Sequence, residues 1–449
     1  MVGMPGIEHV PAENRKLMGQ IENASLNKHP WGRWVEPWYL AYALSGATTS
    51  GMAPILLPLE VSQTSAASHI GLVMAAFSLG GLTAPLWGNL ADRHRLHRWM
   101  LFGGLLITTI GLVVFPLTTN KSAYLGLALL QSMGAAAAAT VANLFVVEVH
   151  PQDEWDERIG WLQTYFGGGQ VAGLLLAGAL TQVGLHTGLL VAAGLTLLAA
   201  LIGWFTTSTP LSVHVSRPVL LHPGLHSEWI GGSPQRFYHH LSLKTVRQLG
   251  LVFGSPFGIF IIVWLVAFTG SAAFFSFYPV LMNQLYGVAP GLSSAGFALA
   301  AGMGLSLYSP AGRWSDRFSP AKVLKAALGV RLLAFVSLLA LGVTHTGQAW
   351  LVLLSFLFIV LAWSLLSVSG TALTAQLSPV GEGEGMGIFN AATALAGTIG
   401  AVLGGWVSGY WGYNGAIALA MVGVAFGLVF TFAKQATLLR DKTGDPLKG

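Results

Sequence analysis

Four side chains in this sequence sit where an ionised group is costly. Glu36, Glu60 and Glu148 stand at the ends of long apolar runs, and Arg331 lies inside one, past Lys322 and Lys325. A charge in hydrocarbon must find a counter-charge, a proton or water, so such residues are functional candidates by default. The glutamates either snorkel to interfacial water or bind and release a proton. Arg331 either snorkels toward Lys322 or attracts an anionic solute. No other Asp or Glu falls within an apolar run, so proton coupling rests on these end glutamates or on a histidine, or is absent. Covalent chemistry has little to work with. There is no cysteine, which removes thiolate catalysis, disulfides and thiolate metal sites. No zincin, Ser-His-Asp or paired-carboxylate constellation is present. Gly167-Gly168-Gly169 lacks the Lys-Ser/Thr of a phosphate loop and lies in an apolar stretch. The sequence therefore offers no catalytic residue, metal site or cofactor, and transport driven by a gradient is what remains.

The elements that must carry these residues are membrane helices. Hydrophobic residues make up 53% of the chain and charged residues 9%, against roughly 25% charged in a soluble domain. Helices satisfy their own backbone in lipid, and about 20 apolar residues span the bilayer core. Runs of that length are expected at 36–60, 67–89, 99–118, 122–148, 158–181, 186–206, 256–285, 291–312, 322–343, 348–377, 385–409 and 413–434. The expected fold is therefore an all-α membrane protein of twelve transmembrane helices in two six-helix bundles, 36–206 and 256–434. A polar amino-terminal segment (1–35), a linker (207–255) and a tail (435–449) flank them. Pro210, Pro218, Pro223 and several histidines mark the linker as a solvated loop rather than a metal patch. Nearly all Lys and Arg fall on one side when the amino terminus is placed inside, with Lys121 the clear outlier, so both termini and the linker are expected in the cytoplasm. That asymmetry accounts for the net charge of +5 without nucleic acid. The first 30 residues are polar and carry no secretory signal pattern, and the expected setting is the inner membrane of a bacterial or archaeal cell.

The halves repeat. Gly88-x-x-x-Asp92-Arg93 follows the second run and Gly312-x-x-x-Asp316-Arg317 the eighth, and Gly169-x-x-x-Gly173 in the fifth is answered by Gly400-x-x-x-Gly404 in the eleventh. These segments resemble the major facilitator superfamily, whose loop signature is Gly-x-x-x-Asp-Arg-x-x-Arg-Arg, and the resemblance extends over nearly the whole chain. It implies a carrier that rocks between two states, with Gly88, Asp92, Arg93, Gly312, Asp316 and Arg317 at its gate. Asp92 would cap a helix end and pair with an arginine when the inner face is closed. The glycines of the fifth helix depart from the superfamily's antiporter motif at Leu174 and Ala177, which favours helix packing, and Leu130 stands where proton-coupled drug exporters carry an arginine. The resemblance also implies that helices one, four, seven and ten line the cavity. The candidates there are Tyr42, Thr48, Gln131, Asn143, Trp264, Phe268, Tyr278, Asn283, Trp363 and Gln376, aromatic and neutral residues suited to a neutral or amphiphilic ligand. The expected protein is a monomeric secondary transporter, partnered by the lipid bilayer and a small-molecule substrate, and by a proton where one of the end glutamates or a histidine couples transport to it. It would export a hydrophobic or neutral compound. Uptake of a sugar or organic anion is the alternative, favoured if Arg331 faces the cavity, and a non-transporting sensor or scaffold on the same fold is the third reading.

Overall fold

A computed structural model describes residues 36–94, 96–150, 154–207, 255–345, 348–379 and 382–433, excepting the side chains of 89, 92–94, 147–149, 156, 382–384 and 432–433. The described residues contain twelve helices long and apolar enough to cross a membrane: α1 Tyr39–Ser62, α2 Ala67–Gly88, α3 His97–Leu117, α4 Lys121–Val146, α5 Glu157–Val183, α6 Leu185–Thr206, α7 Pro256–Phe275, α8 Pro290–Phe318, α9 Pro320–Val343, α10 Ala349–Leu377, α11 Gly385–Trp411 and α12 Tyr413–Thr431. Their ends carry local signals. Asn120 Oδ1 accepts from Ser122 N at 2.9 Å to start α4, and Ser255 Oγ accepts from Gly258 N at 3.2 Å to start α7, with Pro256 in its first turn. Single glycines with positive φ, Gly184 and Gly412, turn α5 into α6 and α11 into α12.

The packing pattern is a duplication. In the first half α1 packs on α5 and α6, α3 on α4 and α6, and α2 on α4. In the second, α7 packs on α11 and α12, α9 on α10 and α12, and α8 on α10. Each contact in one half has its counterpart six helices later. This is the arrangement expected of two parallel repeats about an axis along the membrane normal. Two seams, α2 on α11 and α5 on α8, join the halves, and the same axis exchanges them.

Four segments differ from the sequence expectation. The run 256–285 is not one helix. It breaks after Phe275 and restarts as a short helix, Tyr278–Tyr286, with Pro279 in the first turn. Pro279 has no N–H to continue the ladder, and its ring would collide with the carbonyl four residues back. The two Gly-x-x-x-Asp-Arg segments are helical rather than loops: Gly88 to Arg93 lies in the helix Ala84–His94, and Gly312 to Arg317 in the last turns of α8. Within α1, Ala47–Met52 forms a π-helical turn. The hydroxyls of Thr48 and Thr49 bond back to carbonyls of Leu44 and Ser45 there, which loosens the ordinary ladder. Apart from Thr207 and Ser255, the linker lies outside the described residues, as do the segments 1–35 and 435–449.

Candidate substrate cavity

The two seams close the molecule at one end only. On the face opposite the Gly-x-x-x-Asp-Arg segments, Gly71 of α2 meets α11 so closely that a methyl there would stand 2.5 Å from Ala401 O and 2.8 Å from the Gly405 Cα. At the same depth Gly178 of α5 meets Gly291 and Ser294 of α8, where a methyl would lie 2.9 Å from the Ser294 Cβ. Glycine permits such backbone-on-backbone approach. Toward the motif face no such backbone-on-backbone glycine contact joins the halves among the described residues. A methyl on Gly160 of α5 or Gly312 of α8 would meet no described atom within 4 Å, and Asp316 and Arg317 are exposed with no ion pair among the described residues. Gly88 is buried, and the side chains of Asp92 and Arg93 lie outside the described residues.

Between the halves, at mid-depth, is a cavity of about 350 Å³. Phe268, Ser271 and Phe275 of α7, Phe297, Leu305 and Tyr308 of α8, Arg331 of α9, Trp363 and Ser364 of α10 and Thr393 of α11 face it from one half; Gln170 of α5 faces it from the other. A second lobe of about 320 Å³ shares Gln170, Phe275 and Phe297 with the first and reaches Thr49, Ser50 and Pro54 of α1, Phe77 of α2 and Tyr278. The walls are aromatic: Trp264 stacks on Phe268 at 4.0 Å, Trp363 stands edge-on to Phe268 at 5.2 Å, and Tyr278 stacks on Phe356 at 4.1 Å. Their polar ends are tied into the protein. Trp264 Nε1 donates to Thr393 Oγ1 at 2.9 Å, and Tyr278 Oη donates to Ser293 O at 2.7 Å.

The structure gathers some of the sequence candidates and scatters the rest. Phe268, Trp363 and Arg331 face the main lobe, Tyr278 the second, and Trp264 backs Phe268. Thr48 is buried against its own helix. Tyr42 packs on Phe166 at 4.9 Å, and Asn143 donates to Ala139 O while accepting from Gln163. Gln131 packs on Gly111, between α3 and α4. Asn283 and Gln376 are exposed and line neither lobe. Helix α4 thus lines neither lobe, whereas α5, α8, α9 and α11 do. Gln170 was missed, although an amide between Gly169 and Gly173 in an apolar helix is a readable signal; it donates to Ser50 O at 3.4 Å. Gly169 and Gly173 serve packing, their faces closed by the Ala43 and Ala47 carbonyl oxygens of α1.

The ionisable candidates occupy three places. Arg331 does not snorkel: it is 2% exposed, and its Nε and Nη1 have no hydrogen-bond partner among the described residues. Its guanidinium carbon lies 5.5 Å from the Phe275 ring centre and 5.7 Å from that of Phe268. Glu60 is buried near the sealed end of α1, with Oε1 2.9 Å from His186 Nε2 and Oε2 unsatisfied. Glu36 ties the motif-face ends of the first half together, at 2.7 Å from His150 Nε2 and 3.2 Å from Arg158 Nη1; its other oxygen accepts from Trp38 Nε1, and Arg158 also pairs with Glu154. Burial outweighs the attraction of Glu36 and holds His150 below the usual imidazole pKa. The side chain of Glu148 lies outside the described residues. No group of three or more His, Cys, Asp or Glu among the described residues is placed to hold a metal ion.

The family model described as Major Facilitator Superfamily matches residues 38–382 and again 310–447. The chain is 24% identical to multidrug resistance protein 2 of Bacillus subtilis over 75% of this chain and 79% of that one. It is also 24% identical to the probable anion transporter 4, chloroplastic, of Arabidopsis thaliana over 83% of this chain and 70% of that one. Among solved structures, the nucleoside transporter NupG superposes with a TM-score of 0.67 at 15% identity, covering 89% of this chain and 98% of that one.

Proposed function

This chain belongs to the Major Facilitator Superfamily and carries a small organic solute by secondary active transport, and we propose that it exports a compact amphiphile with an aromatic or otherwise apolar body. One observation carries the reading: an aromatic-walled cavity lies at mid-depth between two halves whose glycine backbones meet at one end, with no such contact at the motif end among the described residues. That is the loading state of an exporter when the motif face is cytoplasmic, the orientation favoured by the Lys and Arg distribution. An apolar cavity with few fixed polar groups selects shape and surface more than a hydrogen-bond pattern. The likeness to a protein named for multidrug resistance agrees with outward transport.

Alternating access would come from exchange of the two seams. Closing the motif face brings the helix ends bearing Asp92 and Asp316 toward the opposite half, where each carboxylate can cap a helix or meet an arginine, while the glycine contacts at the far end open. Coupling is assigned to Glu60 and His186, a buried carboxylate reached through a largely exposed imidazole at the sealed face. A proton taken up there from outside would return the emptied carrier. The test is transport into everted membrane vesicles energised by a proton gradient, with ethidium, 2-naphthamide and 2-naphthoate as probes. Accumulation of at least one, lost on collapsing the gradient, is expected. Accumulation in right-side-out vesicles instead would reverse the direction, and movement of none of the three would overturn the reading.

A further inference from the structure

We infer that the main lobe is an anion site and that the substrate's fixed feature is a carboxylate or comparable oxyanion bound by Arg331, its ring-bearing body lying along Phe268, Phe275 and Trp363. The inference rests on this cavity being the substrate site and names the substrate's charge, where the sequence pointed to a neutral compound.

Several observations converge. Among the described residues, Arg331 is the one ionised side chain facing the lobe, and no Asp or Glu lines it. A guanidinium stays protonated in proteins, and a charge this far from bulk water is strongly unfavourable unless something balances it. Two of its nitrogens, Nε and Nη1, are buried without a hydrogen-bond partner among the described residues. The phenyl faces of Phe268, Phe275 and Phe335, between 5.5 and 5.9 Å away, offset part of the charge but accept no hydrogen bonds of ordinary strength.

Three of the lobe's hydroxyls are already used, while Gln170, Tyr308 and Trp363 keep polar groups on its wall. Ser364 donates to Gly304 O at 2.8 Å, Ser271 to Ala267 O at 2.9 Å and Thr393 to Phe389 O at 2.9 Å. A ligand therefore meets a largely apolar surface, the polar ends of Gln170, Tyr308 and Trp363, and one guanidinium whose Nε and Nη1 have no partner among the described residues, and a planar carboxylate is the group that fits such a fork. The rings stacked around it match the flat body that such an acid would carry. Position on α9 excludes a merely interfacial role: the side chain is as buried as Phe335, one turn further along the same helix.

The full-length protein in detergent is titrated with 2-naphthoate and with 2-naphthamide, which share one ring system and differ in charge. Naphthoate is expected to bind about 10- to 100-fold more tightly than the amide. Arg331→Gln is expected to erase that preference by weakening naphthoate alone, and Arg331→Lys to restore part of it. On the unaltered protein, naphthoate but not naphthamide should slow modification of Arg331 by phenylglyoxal, read by peptide mass spectrometry, so the outcome does not depend on the variants folding. Equal affinities in the wild-type protein, equal protection by both compounds, or a preference that survives in folded Arg331→Gln overturns the inference. A protein that binds both probes equally and still transports leaves the carrier reading intact. One that binds naphthoate through Arg331 but moves nothing overturns the carrier reading and leaves this one standing.

Discussion

Replacing Gly71 by valine tests whether the sealed end is one face of a two-state switch. A Cβ at Gly71 would stand 2.5 Å from Ala401 O and 2.8 Å from the Gly405 Cα, and the reciprocal contact from Gly405 is 3.0 Å to the Gly71 Cα. All of these partners are backbone of α11 and cannot rotate away. Relief requires α2 and α11 to separate by roughly an ångström at this end, since ordinary carbon contacts need about 3.5 to 4.0 Å. Overpacking of this kind costs about 1 to 3 kcal/mol. Because the penalty exists only where α2 and α11 touch here, it moves the balance toward the state opened on this face by about 5- to 150-fold. Ser294, fully buried at the other seam beside Gly178, reports the opening: with no native cysteine in the chain, a Ser294→Cys probe is the single thiol. Its maleimide labelling should accelerate by the same factor when Gly71→Val is added, and Gly71→Ala should give a smaller step. Gly103→Val, at a position with nothing within 4 Å, should leave labelling unchanged. A folded Gly71→Val protein whose Ser294→Cys thiol labels no faster than before would refute the idea that the two seams open together.

Three further outcomes are expected. Glu60→Gln keeps the contact with His186 but removes the titrating oxygen, so gradient-driven accumulation should be lost while exchange of labelled for unlabelled substrate continues, measured in the same proteoliposomes. His150 is held below its usual pKa by burial, with Glu36 pulling the other way and Arg158 adding to the depression; the unfolded chain then binds the proton more readily, and stability falls as pH drops from about 7 through the ordinary imidazole value near 6.5. Thermal unfolding in detergent should show that acid sensitivity shrinking in His150→Gln. Tyr278→Phe leaves the Ser293 carbonyl without its donor in an apolar setting and should cost about 1 to 2 kcal/mol, visible as a lower unfolding temperature with the stacking on Phe356 retained.

Much of the architecture was legible because the bilayer imposes a length rule that soluble proteins lack. The twelve runs and their twofold repetition follow from hydropathy and from two copies of one hexapeptide pattern. Pro279 was the readable exception: it sits inside an apolar run, and hydropathy does not register a missing N–H. The cavity was harder. Trp363, Phe268 and Tyr278 line the lobes from the segments where helices seven and ten are expected, yet the same expectation points to Gln131 and Asn143 on α4, which line neither lobe, and not to Gln170, which lines both. Apolar helices carry no polar face to show their rotation, so which side of α9 or α5 turns inward is fixed only by neighbours. Arg331 illustrates the limit. Its charge was plain in the sequence, but whether it ran along the helix to water or into the interior depended on Phe268, Phe275 and Phe335, which are remote from one another in the chain or hidden within an unbroken apolar run.

The duplication that pairs the helix contacts does not extend to the walls of the main lobe, where Gln170 is the sole lining residue from the first half among the described residues. A ligand held mainly by one half travels as a passenger of that half while the other swings across it. Most of its contacts are then the same before and after the swing, and a ligand biases a two-state balance only by the difference between them. The two halves thereby divide the labour: changes around Arg331 should alter what is carried, and changes along α2 or the far end of α5 should alter how fast it is carried, so selectivity and turnover can drift independently.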